Sequence, residues 1–175
     1  MDYHQQTQLH QSLGKKITIT NKKGYLNDNL LLFLNKMFIT FMEKEYRLYS
    51  FVLRQLNPIQ KGIQSSHSIV EYMTHFWAND DYHQWSTKDK TIIMLDGGTL
   101  PDMYNLIDSL RSLDVNFSTF KEPDLGDIVT SISIIVSNDV WDNPYYTIPD
   151  YIPCTNEDKL NYNLYKLISS HRLSQ

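Results

Sequence analysis

The chain of 175 residues has a formal net charge of −4, is 41% hydrophobic and 21% charged, and contains one cysteine, Cys154. These values suit one globular domain with a core and exclude wholesale disorder, and the acidic balance argues against a dedicated nucleic-acid binder, whose affinity rests on Lys and Arg at phosphates. A lone cysteine excludes an internal disulfide, and no apolar run reaches the length of a membrane-spanning helix, so we expect a cytoplasmic protein without membrane contact.

Residues 1–45 are predicted to form an arm and a helix outside the main domain. Alternating Ile and Thr at 16–20 predict a short edge strand. Asn27 or Asp28 can cap a helix over about 29–44, which carries an apolar face. We expect this helix to dock on the main domain or on a partner chain.

Residues 46–141 are predicted to form the main α/β domain. The apolar run 48–53 predicts a buried strand, and Asn57 followed by Pro58 predicts the start of a long helix. Apolar residues recur along that helix at helical spacing and predict one core-facing stripe. They are Ile59, Ile63, Val70, Met73 and Trp77.

The chain then reads as a polar loop at 79–89 holding Trp85, an inner strand at 90–96, and a second amphipathic helix opened by Pro101 and Asp102. Strands are predicted at 116–121 and 130–136, with an acidic turn between them. The order strand, helix, strand, helix, strand, strand predicts a single-domain, three-layer α/β sandwich with a four-stranded mixed sheet.

Residues 142–175 are predicted to form an aromatic loop and a C-terminal helix. The proline-rich and aromatic segment 139–153 is expected to wrap over the sheet as ordered loop. Thr155 and Asp158 resemble a capping box and predict a helix over 156–170. The aromatic tail and the apolar helix near 30–42 favour a homo-oligomer or a protein partner bound through the terminal helices, because small domains seldom leave such stripes exposed.

Several polar side chains are predicted near the connection between the first strand and the first long helix. The first turns of that helix contain Gln60, Lys61, Gln64 and His67. In α/β domains, binding sites tend to lie where a strand is followed by a helix. Gly97-Gly98 lacks the spacing of a phosphate loop, and Cys154 lacks an activating setting, so it is expected to be an inert, half-buried thiol. No zinc-site spacing is present, and we predict no metal and no cofactor.

Two motifs stand out: KGIQSSHSIVEY at 61–72, with a Gln followed three residues later by a His, and FKEPDLGDIVTSISI at 120–134. Together with the order of elements, they resemble the type II peptidyl-tRNA hydrolase family. The resemblance covers about 46–141 and is closer to a divergent hydrolase-like branch of bacteria and their viruses. It implies cleavage of the ester that joins a nascent peptide to tRNA.

The family's proposed active site combines a lysine, a histidine, an acid and a threonine. His67 and Thr130 match the histidine and the threonine, and the acid is Glu122 or Asp124, because the shorter turn leaves the alignment open. The remaining candidates share the start of the first long helix: Gln60, which falls on the lysine position; Lys61, one place and about 100° further round the helix; and Gln64. We predict that Gln60 and Gln64 bind substrate.

The chemistry that the resemblance implies is concrete. His67 or a carboxylate would orient or deprotonate water, while Lys61 and the Thr130 hydroxyl would stabilise the oxyanion or hold the terminal ribose. The tRNA would be a partner despite the acidic net charge, with lysines at 15, 16, 22 and 23 as a basic arm. The alternative is a catalytically inactive binding module on the same fold, whose cleft holds a nucleotide, an RNA end or a protein partner.

Overall fold

Four strands form one mixed sheet in the computed structural model, which describes residues 44–148 and 150–175. The strands are β1 (Tyr46–Val52), β2 (Thr91–Asp96), β3 (Phe117–Glu122) and β4 (Ile128–Ser137). Their order is β2-β1-β4-β3, with β1 parallel to β2 and antiparallel to β4, and β3 antiparallel to β4. The predicted four-stranded mixed sheet is confirmed. The strand, helix and basic arm predicted before residue 44 lie outside the described residues.

Within residues 44–148 and 150–175, five α-helices accompany the sheet and make the predicted three-layer sandwich with it. They are α1 (Pro58–Phe76), α2 (Asp80–Gln84), α3 (Leu100–Ser112), α4 (Asn138–Trp141) and α5 (Asn156–Ser169). Helix α1 packs on one face of the sheet, against β1, β3 and β4. Helices α3 and α5 share the apolar core on the other face.

The three long helices begin at caps that the sequence predicts. Asn57 and Gln60 satisfy each other's backbone N–H groups at the start of α1. Asp102 accepts a hydrogen bond from the Thr99 N–H at the start of α3, and the Thr155 hydroxyl accepts one from the N–H three residues on at α5. Because a cap satisfies donors that the first helical turn leaves free, these residues set where each helix starts.

The apolar core lies on the α3 and α5 side of the sheet. Alternate residues of β1 and β4 point into it and meet the buried faces of the two helices. Its fully or almost fully buried members include Phe51, Ile132, Ile134, Met103 and Leu110. A smaller cluster around Leu48, Tyr72 and Trp85 lies on the α1 side.

The predicted core-facing stripe on α1 is wrong, because that stripe faces outward. Its residues are between 40% and 76% exposed; they are Ile59, Ile63, Val70, Met73 and Trp77. The buried residues of α1 are instead mostly polar: Lys61, Gln64, Ser65, Ser68 and Tyr72. The sheet surface under α1 explains this orientation, since it carries buried hydroxyl side chains that find their polar partners on α1: Ser118, Ser131 and Ser133.

Hydroxyl contacts between α1 and the sheet fix how the helix sits. The Ser68 and Ser133 hydroxyls lie 2.7 Å apart, the Ser118 hydroxyl donates to the Ser68 carbonyl at 2.6 Å, and the Ser131 hydroxyl donates to the Gln64 carbonyl. Because serine side chains are small, α1 can approach the sheet closely enough to form these bonds. Hydrogen bonds form only at particular distances and angles, so the three bonds together fix which residues of α1 lie over which residues of β3 and β4.

Two predictions for the segment from 79 to 96 need correction. The polar loop at 79–89 is helical, with α2 followed by a π-helical turn at Trp85–Asp89, and Trp85 is buried with its indole N–H donating to the Thr91 carbonyl at 2.9 Å. Strand β2 lies at the edge of the sheet and is not an inner strand. The C-terminal segment bridges Leu95 to Leu173 along that edge.

The aromatic segment after β4, predicted as ordered loop, is partly helical. It contains α4 and a 3₁₀ turn at Pro144–Thr147, and Tyr146 is buried. The Tyr146 and Tyr151 hydroxyls both donate to the Asp158 carboxylate, at 3.0 and 2.7 Å, so they tie this segment to α5. Cys154 is exposed and not half-buried. Among the described residues, no helix has the length and apolar content to cross a membrane.

Candidate functional site at the carboxyl end of the first strand

Helix α1 and strands β3 and β4, which carry the candidate residues, meet at the end of the sheet where β1 has its carboxyl terminus. Strand β1 ends at Val52, which lies opposite Ser131 near the start of β4, and β3 ends at Glu122, opposite Ile128. Helix α1 starts at this same edge, after the short turn that follows β1. The fold thus brings the stretches 61–72 and 120–134 side by side.

A chain of side-chain hydrogen bonds joins Thr130, Gln64 and Glu122. The Thr130 hydroxyl donates to Gln64 Oε1 at 2.7 Å, and Gln64 Nε2 donates to Glu122 Oε2. The orientation of the amide follows from the network, because only the NH₂ group can donate to a carboxylate and only the carbonyl oxygen can accept from the hydroxyl. We refer to these three residues as the relay.

Burial divides the relay into an inner and an outer part. Thr130 is fully buried and Gln64 is 6% exposed, whereas Glu122 is half-buried at the end of β3. A substrate in solution can therefore reach Glu122 but not the Thr130 hydroxyl. Thr130 acts on the site through Gln64, by holding the amide in the one orientation that presents its NH₂ group to the carboxylate.

His67 lies beside the relay, one turn along α1 from Gln64. Its imidazole is exposed and stacks on the Phe120 ring, with 4.4 Å between ring centroids and 18° between planes. The Phe120 carbonyl in turn lies 3.4 Å from the Thr130 hydroxyl. Within the described part of the chain, neither ring nitrogen of His67 has a hydrogen-bond partner, so the stacking alone fixes the plane of the ring.

The two residues nearest the family's lysine position are engaged elsewhere. Gln60 is exposed, and its side chain caps α1 through Asn57. Lys61 is buried, and its Nζ donates to the main-chain oxygen of Gln175 at 2.8 Å. The bond joins residues 114 positions apart in the chain. No local pattern in the sequence indicates such a contact.

The acidic turn distinguishes between the two candidate acids. Asp124 is exposed within the 3₁₀ turn Pro123–Leu125, while Glu122 just before it is bonded to Gln64. Gly126 follows with φ of 77°, and the Asp127 N–H donates to the Glu122 carbonyl at 3.0 Å. The turn closes on Glu122 and leaves Asp124 outside the relay.

A second polar cluster at the same edge escaped the sequence analysis. The buried Asp96 carboxylate accepts hydrogen bonds from Arg54 Nε at 3.0 Å, from Arg172 Nε at 3.2 Å and from the Gly98 N–H at 2.9 Å. Burial raises the pKa of Asp96, but these three donors outweigh it and lower the pKa below its usual value. Arg172 lies 76 positions from Asp96 in the chain, so its spacing gives no signal.

Gly97 and Gly98 are required by the tight turn between β2 and α3. A Cβ on Gly97 would lie 2.3 Å from Met103 Sδ and 3.1 Å from the Val52 carbonyl oxygen, and Gly98 has a φ of 85°. The pair therefore lets the chain pass tightly between the end of β1 and the start of α3. It is a close-packed turn, as the absence of phosphate-loop spacing predicts.

The described residues contain no group of three or more His, Cys, Asp or Glu side chains arranged to hold a metal ion. No protein-family model matches the chain, and no curated protein matches it.

Proposed function

We propose that this protein hydrolyses the ester that joins a peptide to tRNA, with Glu122 and His67 as its reacting groups. The observation that carries the proposal is the relay itself. It links the motif at the start of α1 to the acidic turn and the threonine of β4, which are the stretches that resemble the hydrolase family. Residues from three separate elements converge on a carboxylate that solvent can reach.

In the proposed reaction, Glu122 accepts a proton from water as the water oxygen attacks the ester carbonyl carbon. One Glu122 oxygen accepts the Gln64 hydrogen bond, so the carboxylate retains lone pairs for this proton. The tetrahedral intermediate then expels the ribose oxygen, and protonated His67 supplies the proton that this oxygen needs. The products are a tRNA ribose hydroxyl and a peptide carboxylic acid, which loses its proton to solvent. The proton held by Glu122 returns to His67 through solvent and restores the starting state for the next turnover.

The inner residues have positioning roles in this proposal. Thr130 and Gln64 orient Glu122, and Lys61 holds the C-terminal segment against the start of α1 through its bond to Gln175. This differs from the direct oxyanion contact that the resemblance implies for Lys61 and Thr130. Both side chains are at least nine-tenths buried, which favours the indirect role.

One observation favours the second candidate function, an inactive binding module on the same fold. Gln60 stands at the family's lysine position and is used as a helix-capping residue. A protein that had lost hydrolysis would retain the relay as a structural contact and would bind an RNA end or a protein partner without turnover. The two candidates therefore differ in turnover and not in the arrangement of the fold.

Release of labelled amino acid from N-acetyl-aminoacyl-tRNA by the full chain tests the proposal. We expect multiple turnovers by the wild type and a loss of kcat of about 100-fold or more in His67→Ala, since general acid–base groups contribute about 10²–10⁴-fold. His75→Ala is the matched control, because His75 is also exposed on α1 but is bonded to the Glu71 carbonyl, two turns away from His67. A folded wild type without turnover would favour the binding module.

A further inference from the structure

A cavity of about 490 Å³ opens at the carboxyl ends of β1 and β2, on the α3 side of the sheet. Its charged lining comes from Arg54 after β1, Asp96 at the end of β2, Asp102 in α3, and His171 and Arg172 after α5. Crevices outside the carboxyl ends of parallel strands are where open α/β sheets bind ligands. The volume is within the usual range of small-molecule sites.

The buried Asp96 carboxylate holds both arginines of the cavity in place. Each uses its Nε to donate to the buried Asp96 carboxylate, while the side chains of Arg54 and Arg172 remain 51% and 75% exposed. Their terminal Nη1 and Nη2 groups have no hydrogen-bond partner within the described residues. A guanidinium fixed through Nε presents its terminal nitrogens as a fork, which matches the spacing of two phosphate oxygens.

The negative groups of the cavity are both occupied. Asp96 is shared by the two arginines and the Gly98 N–H, and the Asp102 carboxylate accepts hydrogen bonds from the N–H and the hydroxyl of Thr99. The His171 ring lines the cavity and uses Nδ1 to donate to the Leu167 carbonyl at 2.8 Å, which makes Nε2 of a neutral ring an acceptor. The terminal nitrogens of the two arginines are unused donors of the cavity, and they suit an anion.

The cavity and the relay are connected through two consecutive residues. The Leu53 N–H donates to the Thr130 carbonyl at 2.9 Å, and the Arg54 N–H donates to the Gly98 carbonyl at 2.8 Å. Asp96 ends β2 and Glu122 ends β3, and β1 and β4 lie between these strands, so three strand spacings, about 14 Å, separate the two carboxylates along the sheet. The cavity lies on the α3 side of the sheet and the relay on the α1 side, so an RNA strand that reaches both sites has to pass over the ends of β1 and β4.

We propose that Arg54 and Arg172 bind a backbone phosphodiester of the single-stranded RNA end whose terminal ribose carries the ester. This inference rests on the proposed function, because it assigns the second contact of the same substrate. A phosphodiester carries one negative charge and two unbridged oxygens, which two guanidinium forks can bind together. Because the overall charge is −4, binding of RNA needs local clusters of positive charge, and this pair of arginines is one such cluster.

The test measures binding of a 5′-fluorescein-labelled ten-nucleotide RNA ending in CCA to the full chain, by fluorescence anisotropy at several salt concentrations. In Arg172→Gln we expect Kd to rise about tenfold and the slope of log K against log salt to lose about 0.7, the value for one phosphate contact on a single strand. Arg54→Lys should also weaken binding, because lysine keeps the charge but lacks the fork. Arg111→Gln is the control, since Arg111 is an exposed arginine of α3 paired with Asp108 outside the cavity.

Circular dichroism checks that each variant is folded, and Arg172→Lys replaces Arg172→Gln if the latter is not. Unchanged Kd and slope in folded Arg172 and Arg54 variants, or no RNA binding by the wild type, would overturn the proposal. Kinetics separate this failure from failure of the proposed function. Hydrolysis with an unchanged KM in Arg172→Gln refutes the phosphate site alone, whereas arginine-dependent RNA binding without hydrolysis refutes the esterase alone.

Discussion

Replacing Thr130 with valine removes one hydroxyl from the centre of the relay and keeps the shape of the side chain. Gln64 Oε1 then loses its donor at a position that water reaches poorly, since Thr130 is fully buried and Gln64 is 6% exposed. A buried acceptor left without a partner costs about 1–3 kcal/mol of unfolding free energy. We expect Thr130→Val to be less stable by about 2 kcal/mol. The Gln64 amide would also be free to rotate away from Glu122.

Urea unfolding followed by circular dichroism measures the loss of stability. For a slope of about 2 kcal/mol per M, a loss of about 2 kcal/mol lowers the midpoint by about 1 M. Thr119→Val is the matched control, because Thr119 is a half-buried threonine of β3 whose hydroxyl has no partner among the described residues. If both variants have the same midpoint, the Thr130 hydroxyl does not support Gln64 and the relay has no structural role.

Three further predictions concern the packing and the charges. Val70→Gln, on the exposed stripe of α1, should change the unfolding free energy by no more than about 0.5 kcal/mol, whereas Leu110→Ala in the core should cost about 2–5 kcal/mol; urea unfolding measures both. The pKa of Asp96 is lowered in the folded state, so the Asp96 carboxylate stabilises the fold above about pH 4, and this contribution is lost as pH falls through the folded-state pKa. Asp96→Asn should therefore reduce the dependence of the unfolding free energy on pH in the acidic range, which urea unfolding at several pH values measures. The Asp158 carboxylate raises the pKa of Tyr151 to about 12, and Asp158→Asn should return it toward about 10 in an absorbance titration of the phenolate.

The order and type of most elements could be predicted because their signals are local. Caps such as Asn57 and Thr155 act within three residues, and the alternation of β1 and β4 distinguishes the two faces of each strand. The two short helices between 79 and 89 were missed because neither has a side-chain cap or a run of apolar residues. Their positions depend on the burial of Trp85, which is a tertiary contact.

The prediction of which face of α1 is buried is wrong for a different reason. Periodicity indicates which residues share a helix face, but the direction of that face depends on the layer beneath it. The sheet offers hydroxyl side chains there, and Ser131 and Ser133 alternate with isoleucines in β4. That alternation was visible in the sequence and indicates that one face of β4 is lined by hydroxyls. Burial of the serines of α1 against them follows from the need of buried hydroxyls for partners.

The candidate site could be predicted only in part. The convergence of Gln64, Glu122 and Thr130 follows from the order of elements and the two motifs, and the structure joins these three by hydrogen bonds. The bond of Lys61 to Gln175 and that of Arg172 to Asp96 depend on the path of the C-terminal segment along β2. No pattern in the sequence predicts that path. The predicted homo-oligomer or protein partner stays a prediction, which light scattering of the purified chain tests.

The most direct test of the account compares Glu122→Gln with Asp124→Asn in the hydrolysis of N-acetyl-aminoacyl-tRNA. Both changes remove a carboxylate from the same turn, but only Glu122 is bonded to Gln64. The account predicts a loss of kcat of about 100-fold or more in Glu122→Gln and near wild-type turnover in Asp124→Asn. Full activity in a folded Glu122→Gln variant would contradict the assignment of Glu122 as the base and, with it, the central role of the relay.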